Sequence, residues 1–272
     1  MDIAAIIGWV SGLFFLIASL TISADYNTEV LQSIVHWPSV MIAFGGTLAC
    51  SFLAFPLSKI WVGVKAFTKT LIPPNVDPVG SITRIIRLAN LARREGILAL
   101  EEAVAEMDDD FLTQGIMLVV DGTDPDLVKT ILETEITYIE ERHQDAQGFW
   151  GFIASAGPAW GMIGTLIGLI MMFRQMDNLD MIGPSFALAI TTTFYGALIA
   201  NFIANPIISK LKVFSLAEIH AKEVIIEGVL SIQNGENPRI IEEKLKAFLS
   251  PSIRGETSDY YGRGTGEGYG GA

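Results

Sequence analysis

Residues 157–169 read GPAWGMIGTLIGL. Gly157, Gly161, Gly164 and Gly168 recur at spacings of four, three and four, which puts them on one face of an α-helix. The run extends from Gly148 to Phe173 without Asp, Glu, Lys or Arg. A helix needs about 20 apolar residues to cross a bilayer core, so this segment reads as a membrane span. Small residues let helix backbones approach closely in lipid, and the two G-x-x-x-G pairs mark a packing stripe, within one subunit or between subunits.

Working outward, three more segments qualify: Ile3–Ser23, Ile34–Ser58 and Met181–Ser209. None contains an acidic residue, a lysine or an arginine. The last repeats the small-residue theme with Ala189, Thr193, Ala197, Ala200 and Ala204. Composition agrees: 50% of the 272 residues are hydrophobic, only 18% are charged, and the mean hydropathy is +0.44. The first span opens with Met1-Asp2, lacks a basic leader and is too long for a signal-peptide core, so it is expected to be retained. The expected fold is all-α: a polytopic membrane protein with four transmembrane helices, a helical cytoplasmic insertion and C-terminal cytoplasmic helices.

The connections are unequal. Ala24–Ser33 and Arg174–Asp180 are short, whereas Lys59–Gln147 and Lys210–Ala272 are long. Seventeen of the 18 basic residues lie in the two long segments; the short turns carry only Arg174. The positive-inside rule makes the long segments, and with an even span count both termini, cytoplasmic. The expected organisation is 1–58, spans one and two; 59–147, a helical insertion; 148–209, spans three and four; 210–250, a helical tail; and 251–272, a disordered tail with seven glycines. In the insertion, Ile82, Ile85, Ile86, Leu88 and Leu91 recur with helical spacing, followed by Ile97, Leu98 and Leu100. Gly122-Thr123-Asp124-Pro125 reads as a turn opening a helix that continues straight into span three. Asn234-Gly235 ends the first tail helix and Asn237-Pro238 starts another.

No catalytic constellation, phosphate loop or metal site is legible. His36, His143 and His220 are scattered, Cys50 is the only cysteine, and Glu140-Glu141-Arg142-His143 reads as the charged stem of span three. The net charge of −12 argues against nucleic acid. Neither an enzyme nor a cofactor is indicated.

Two features carry chemistry. Pro158 deprives the Ala154 carbonyl of its helical donor, and Thr165 lies two turns beyond it on the same face. Thr165 and the run Thr191-Thr192-Thr193 supply hydroxyl oxygens of the kind that hard monovalent cations bind; the plainer reading is hydroxyl bonding to the helix backbone. An ion carrier usually needs an intramembrane carboxylate, and these spans have none. An ion path therefore requires a second protein to bring the acid against the Pro158 and Thr165 face. Secondly, Arg93, Arg94, Glu95, Glu101, Glu102 and Glu106 are expected on one helix, where Arg94 and Glu101, seven apart, point the same way. They form either a solvated face with intrahelical pairs or a mixed-sign docking surface.

These residues together resemble the MotA/PomA flagellar stator subunits of the MotA/TolQ/ExbB superfamily. The resemblance runs from span one to about Pro251. It is carried by LARREG at 91–96 with Leu100-Glu101, VDGTDP at 120–125, GPAWGMIGTLIGL at 157–169, TTFYG at 192–196 with Ala200-Asn201, and IQNGENPR at 232–239. It implies a homopentameric ring in the bacterial inner membrane, around a MotB/PomB-type single-span protein that supplies an intramembrane aspartate. Cation flow, of sodium rather than protons, would turn the ring and drive the rotor protein FliG. It implies ion-path roles for Pro158, Thr165 and Thr193, rotor contact by Arg93, Arg94, Glu101 and Glu102, and a coupling role for Pro206. The alternatives are an ExbB/TolQ-like energiser of outer-membrane processes, which the fourth span opposes, and a non-conducting scaffold.

Overall fold

A computed structural model describes residues 2–23, 35–74, 76–105 and 107–249, with residues 179 and 181 described by backbone alone. The expected turn at Ala24–Ser33 and the glycine-rich tail 251–272 lie outside the described residues. Helix α1 is Ile3–Ser23. Helix α2, Trp37–Ala54, contains a π-helical turn at Met41–Gly45. Then come α3 (Leu57–Leu71), α4 (Pro78–Glu95), α5 (Leu100–Ala105), α6 (Asp110–Val120) and α7 (Pro125–Arg174). Helix α8 (Leu179–Ala197) passes through a π-helical stretch, Leu198–Ala204, into α9 (Asn205–Gln233), and α10 is Pro238–Lys246. All of this secondary structure is helical. Four helical runs are long and apolar enough to cross a membrane: α1, α2, α7 and Ile182–Gln233.

Local chemistry explains the helix boundaries. The second span is shorter than the sequence predicts, because Phe55 turns to an extended conformation and the chain restarts at Pro56. Proline disfavours helical geometry in the residue before it. Helix α3 then carries Lys59, Lys65 and Lys69 among exposed Trp61, Val62 and Val64, the composition of a helix lying at a membrane surface. Asp77 accepts a hydrogen bond from the Gly80 N–H at 2.9 Å and Pro78 follows it, so α4 starts there. Asn237 does the same for α10, accepting from Arg239 N–H at 3.1 Å. Gly122 and Gly235, at φ +72° and +67°, close the turns after α6 and α9, where a side chain would be strained.

Contacts divide the chain into two units, residues 1–74 with 141–214, and residues 75–140 with 215–272. In the first, aromatic rings and glycines set the packing. Gly63 lies against the Phe149 ring, and the Trp150 indole donates to the Gly63 carbonyl at 2.9 Å. Trp9 stacks edge-on against Phe67 and Phe202, and Phe55 against Phe149 and Phe152. Helix α1 buries no residue and exposes Ile3, Phe14 and Phe15, as a lipid-facing helix does. Cys50 is partly exposed and accepts from the Trp160 indole at 3.2 Å.

The second unit has one apolar core. Ile82, Ile85 and Leu88 of α4 meet Leu112 and Ile116 of α6, Val128 and Leu132 of α7, Val229 of α9, and Ile241 and Leu245 of α10. The insertion and the tail therefore share one core. Gly115 admits Val229 and Leu132, and Gly228 admits Ile85. Lys244 on α10 ties the tail helices together through Glu227 at 3.0 Å and Glu236 at 2.9 Å.

Candidate functional site

Helices α7 and α8 meet along the glycine stripe. Gly157, Gly161, Gly164 and Gly168 are all buried, and each faces α8 or the π-helical stretch after it. A Cβ on Gly161 would stand 3.0 Å from the Thr192 carbonyl, and one on Gly168 would stand 2.7 Å from the Ser185 carbonyl. The stripe thus serves packing within the chain. Two backbones so close bring the hydroxyls on their edges together.

Thr165 of α7 and Thr193 of α8 are hydrogen-bonded through their side-chain oxygens. The Thr165 hydroxyl also lies 3.0 Å from the Gly161 carbonyl and 3.2 Å from the Ala189 carbonyl. Thr192 and Thr193 reach the same Ala189 oxygen at 3.0 and 3.4 Å. A hydroxyl has one proton to donate, so these contacts cannot all be bonds at once, and oxygen lone pairs are left over. The result is a cluster of hydroxyl and carbonyl oxygens with Thr193 exposed at its edge. Bonding of the hydroxyls to the helix backbone, the plainer reading by sequence, is present at Thr165, Thr191 and Thr192. Pro158 is half-buried two turns before Thr165, with its Cα against Gly196.

A polar edge continues below Thr193. Asn201 donates to the Ala197 carbonyl at 3.2 Å, Asn205 donates to the Asn201 side-chain oxygen at 3.3 Å, and Ser209 donates to the Asn205 carbonyl at 3.0 Å. All three residues are exposed. The i,i+4 spacing of Asn201, Asn205 and Ser209 was the available sequence signal, hidden because isolated amides in an apolar run look incidental. Pro206 is exposed just after the π-helical stretch. It lacks the N–H that would close on the Phe202 carbonyl, and a widened turn accommodates that loss.

The charged residues are not on one helix, contrary to expectation. Helix α4 ends at Glu95, Gly96 takes φ +93°, Ile97–Ala99 forms a 3-10 turn, and α5 restarts at Leu100. A side chain at that positive φ is strained, so glycine breaks the helix and the seven-residue register does not apply. Arg93 and Arg94 lie before the turn, Glu101 and Glu102 after it, and all four are exposed. Among the described residues none of the four forms an ion pair; Arg94 donates only to the Asn90 carbonyl, at 3.4 Å. Glu106 lies outside the described residues. The apolar pattern also misled here, since Leu98 is 75% exposed while Leu100 is fully buried.

The description "MotA/TolQ/ExbB proton channel family" matches residues 103–224. The chain is 37% identical to motility protein A of Treponema pallidum over 94% of this chain and 97% of that protein. It is 35% identical to the chemotaxis protein PomA of Vibrio alginolyticus, covering 93% of this chain and 98% of that one. The fold superposes on the flagellar MotAB stator complex from Bacillus subtilis with a TM-score of 0.81, at 29% identity over 91% of this chain and 97% of that chain. Likeness sustained over nearly the whole length places this chain in the MotA/TolQ/ExbB proton channel family, among the MotA/PomA flagellar motor stators, which are ion-channel and motor components and not enzymes.

Proposed function

We propose that this chain is the ring subunit of an ion-driven flagellar stator, conducting sodium in preference to protons. The observation that carries the reading is the oxygen cluster at Thr165, Thr193 and the Ala189 carbonyl, exposed on one edge in spans without a carboxylate. Hydroxyl and carbonyl oxygens suit a hard cation that sheds its water. The missing negative charge comes from a MotB/PomB-type single-span partner, whose aspartate meets the Pro158 and Thr165 face. The exposed edge of Asn201, Asn205 and Ser209 fits the same surface, because polar side chains in a span need water or a polar partner.

Five copies form the ring in the bacterial inner membrane, with both termini cytoplasmic. Pro158 and Pro206 let α7 and the α8–α9 run deform as the aspartate binds and releases its cation. Arg93, Arg94, Glu101 and Glu102 engage the rotor protein FliG. Swimming speed measured against external sodium at fixed pH is the test. Speed rising with sodium supports the reading; speed indifferent to sodium but responsive to pH assigns the current to protons.

A further inference from the structure

We propose that Leu98 is the apolar anchor of the rotor-facing surface, inserting into an apolar notch on a protein partner that carries charges of both signs around it. The proposal rests on the docking reading above and names a contact that reading lacks. A lone exposed leucine is ordinary, and three observations set this one apart. It is the most exposed large hydrophobic among the described residues of its unit, at 75%, with Ile97 beside it at 38%. Its place is fixed: Gly96 turns the chain at φ +93°, Ala99 N–H donates to the Gly96 carbonyl at 3.3 Å, and Leu100 is buried in the core. Its flanks are charges that pair with nothing in the described chain, Arg93 before it and Glu101 and Glu102 after it. An apolar centre rimmed by unpaired charge is how interfaces divide labour: the rim sets register and approach, and the desolvated centre supplies affinity.

The same charges argue against a lipid occupant. Cytoplasmic membrane surfaces are anionic, and the exposed charges around Leu98, Arg93 and Arg94 against Glu95, Glu101 and Glu102, sum to −1, which such a surface does not attract.

The test expresses the full chain with its partner in a stator-deleted strain. It compares Leu98→Ser, Leu98→Met and the Arg93→Glu/Glu101→Lys pair in a bead assay that counts engaged stators. Membrane level and oligomer size are measured alongside. Losing a central contact of this kind lowers affinity about fivefold or more. Leu98→Ser is therefore expected to cut engagement by about that factor at unchanged level and oligomer size, while Leu98→Met keeps most of it. Normal engagement with Leu98→Ser, alongside lost engagement in the charge reversals, overturns the anchor and leaves the docking reading standing. Normal engagement in all variants overturns both. A smaller oligomer with Leu98→Ser overturns the proposal by assigning the residue to a second copy of this chain, and a fallen membrane level overturns it by assigning it to folding.

Discussion

Gly196 on α8 faces Gly157 on α7 so closely that a Cβ added to Gly196 would stand 2.7 Å from the Gly157 carbonyl oxygen. Neither backbone can retreat without moving the Thr165–Thr193 contact, one turn from Gly196 along α8 and two turns from Gly157 along α7. The glycines are therefore the reason the hydroxyls meet.

Gly196→Ala and Gly161→Val should each destabilise the helix pair, by about 1–3 kcal/mol for forcing side-chain atoms into a filled space. Gly151→Ala is the control, because a Cβ there meets nothing within 4 Å. Thermal unfolding in detergent should separate the two groups, and equal melting temperatures would refute the packing role.

Thr165→Val and Thr193→Val keep the shape of the side chain and delete the oxygen. Each should shift the sodium dependence of swimming to higher concentration, with the double variant worse than either. Two variants with wild-type sodium curves would remove the oxygen cluster from the ion path.

Arg93→Glu and Glu101→Lys alter exposed charges that have no ion pair among the described residues. Stability should change by no more than about 0.5 kcal/mol, as at ordinary surface positions. Swimming torque should fall nonetheless. A matching charge reversal on the rotor should restore it, and failure of every such reversal would count against electrostatic docking.

Lys244, held between Glu236 and Glu227, has its pKa raised by hydrogen bonds to those carboxylates. A lysine raised in the folded state contributes stability in full below its unfolded pKa and loses it as pH climbs through the raised value. Lys244→Met should lower the unfolding free energy at neutral pH, by an amount that stays within about 1 kcal/mol because the ammonium is partly exposed, and thermal unfolding measures it. The difference from wild type should vanish in strongly alkaline buffer. A difference that persists there would mean that packing, not charge, is lost.

Span-scale features were legible in the chain itself. Uncharged runs of bilayer length, the bias of lysine and arginine and the glycine spacing are local properties of sequence, and hydrocarbon is an unforgiving solvent. The helix through Pro125 into span three was readable too, because no glycine or proline interrupts it before Gly148. Periodicity failed at Gly96. A glycine in a helical pattern can be tolerated or can reverse the chain, and only the burial of Leu100 beneath α4 and α6 decides which.

The candidate site divides in the same way. Residue types were visible as threonines, prolines and charges; the segments of the threonines and prolines are helical as expected, whereas the turn at Gly96 splits the charges between two helices. That Thr165 and Thr193 touch, across 28 positions of sequence, depends on two backbones meeting at Gly157, Gly161 and Gly196. Chain composition determined where this protein can reside, because transfer to lipid is a sum over residues. Which oxygens share a cluster and which leucine stands in water were decided by packing, which is a property of pairs.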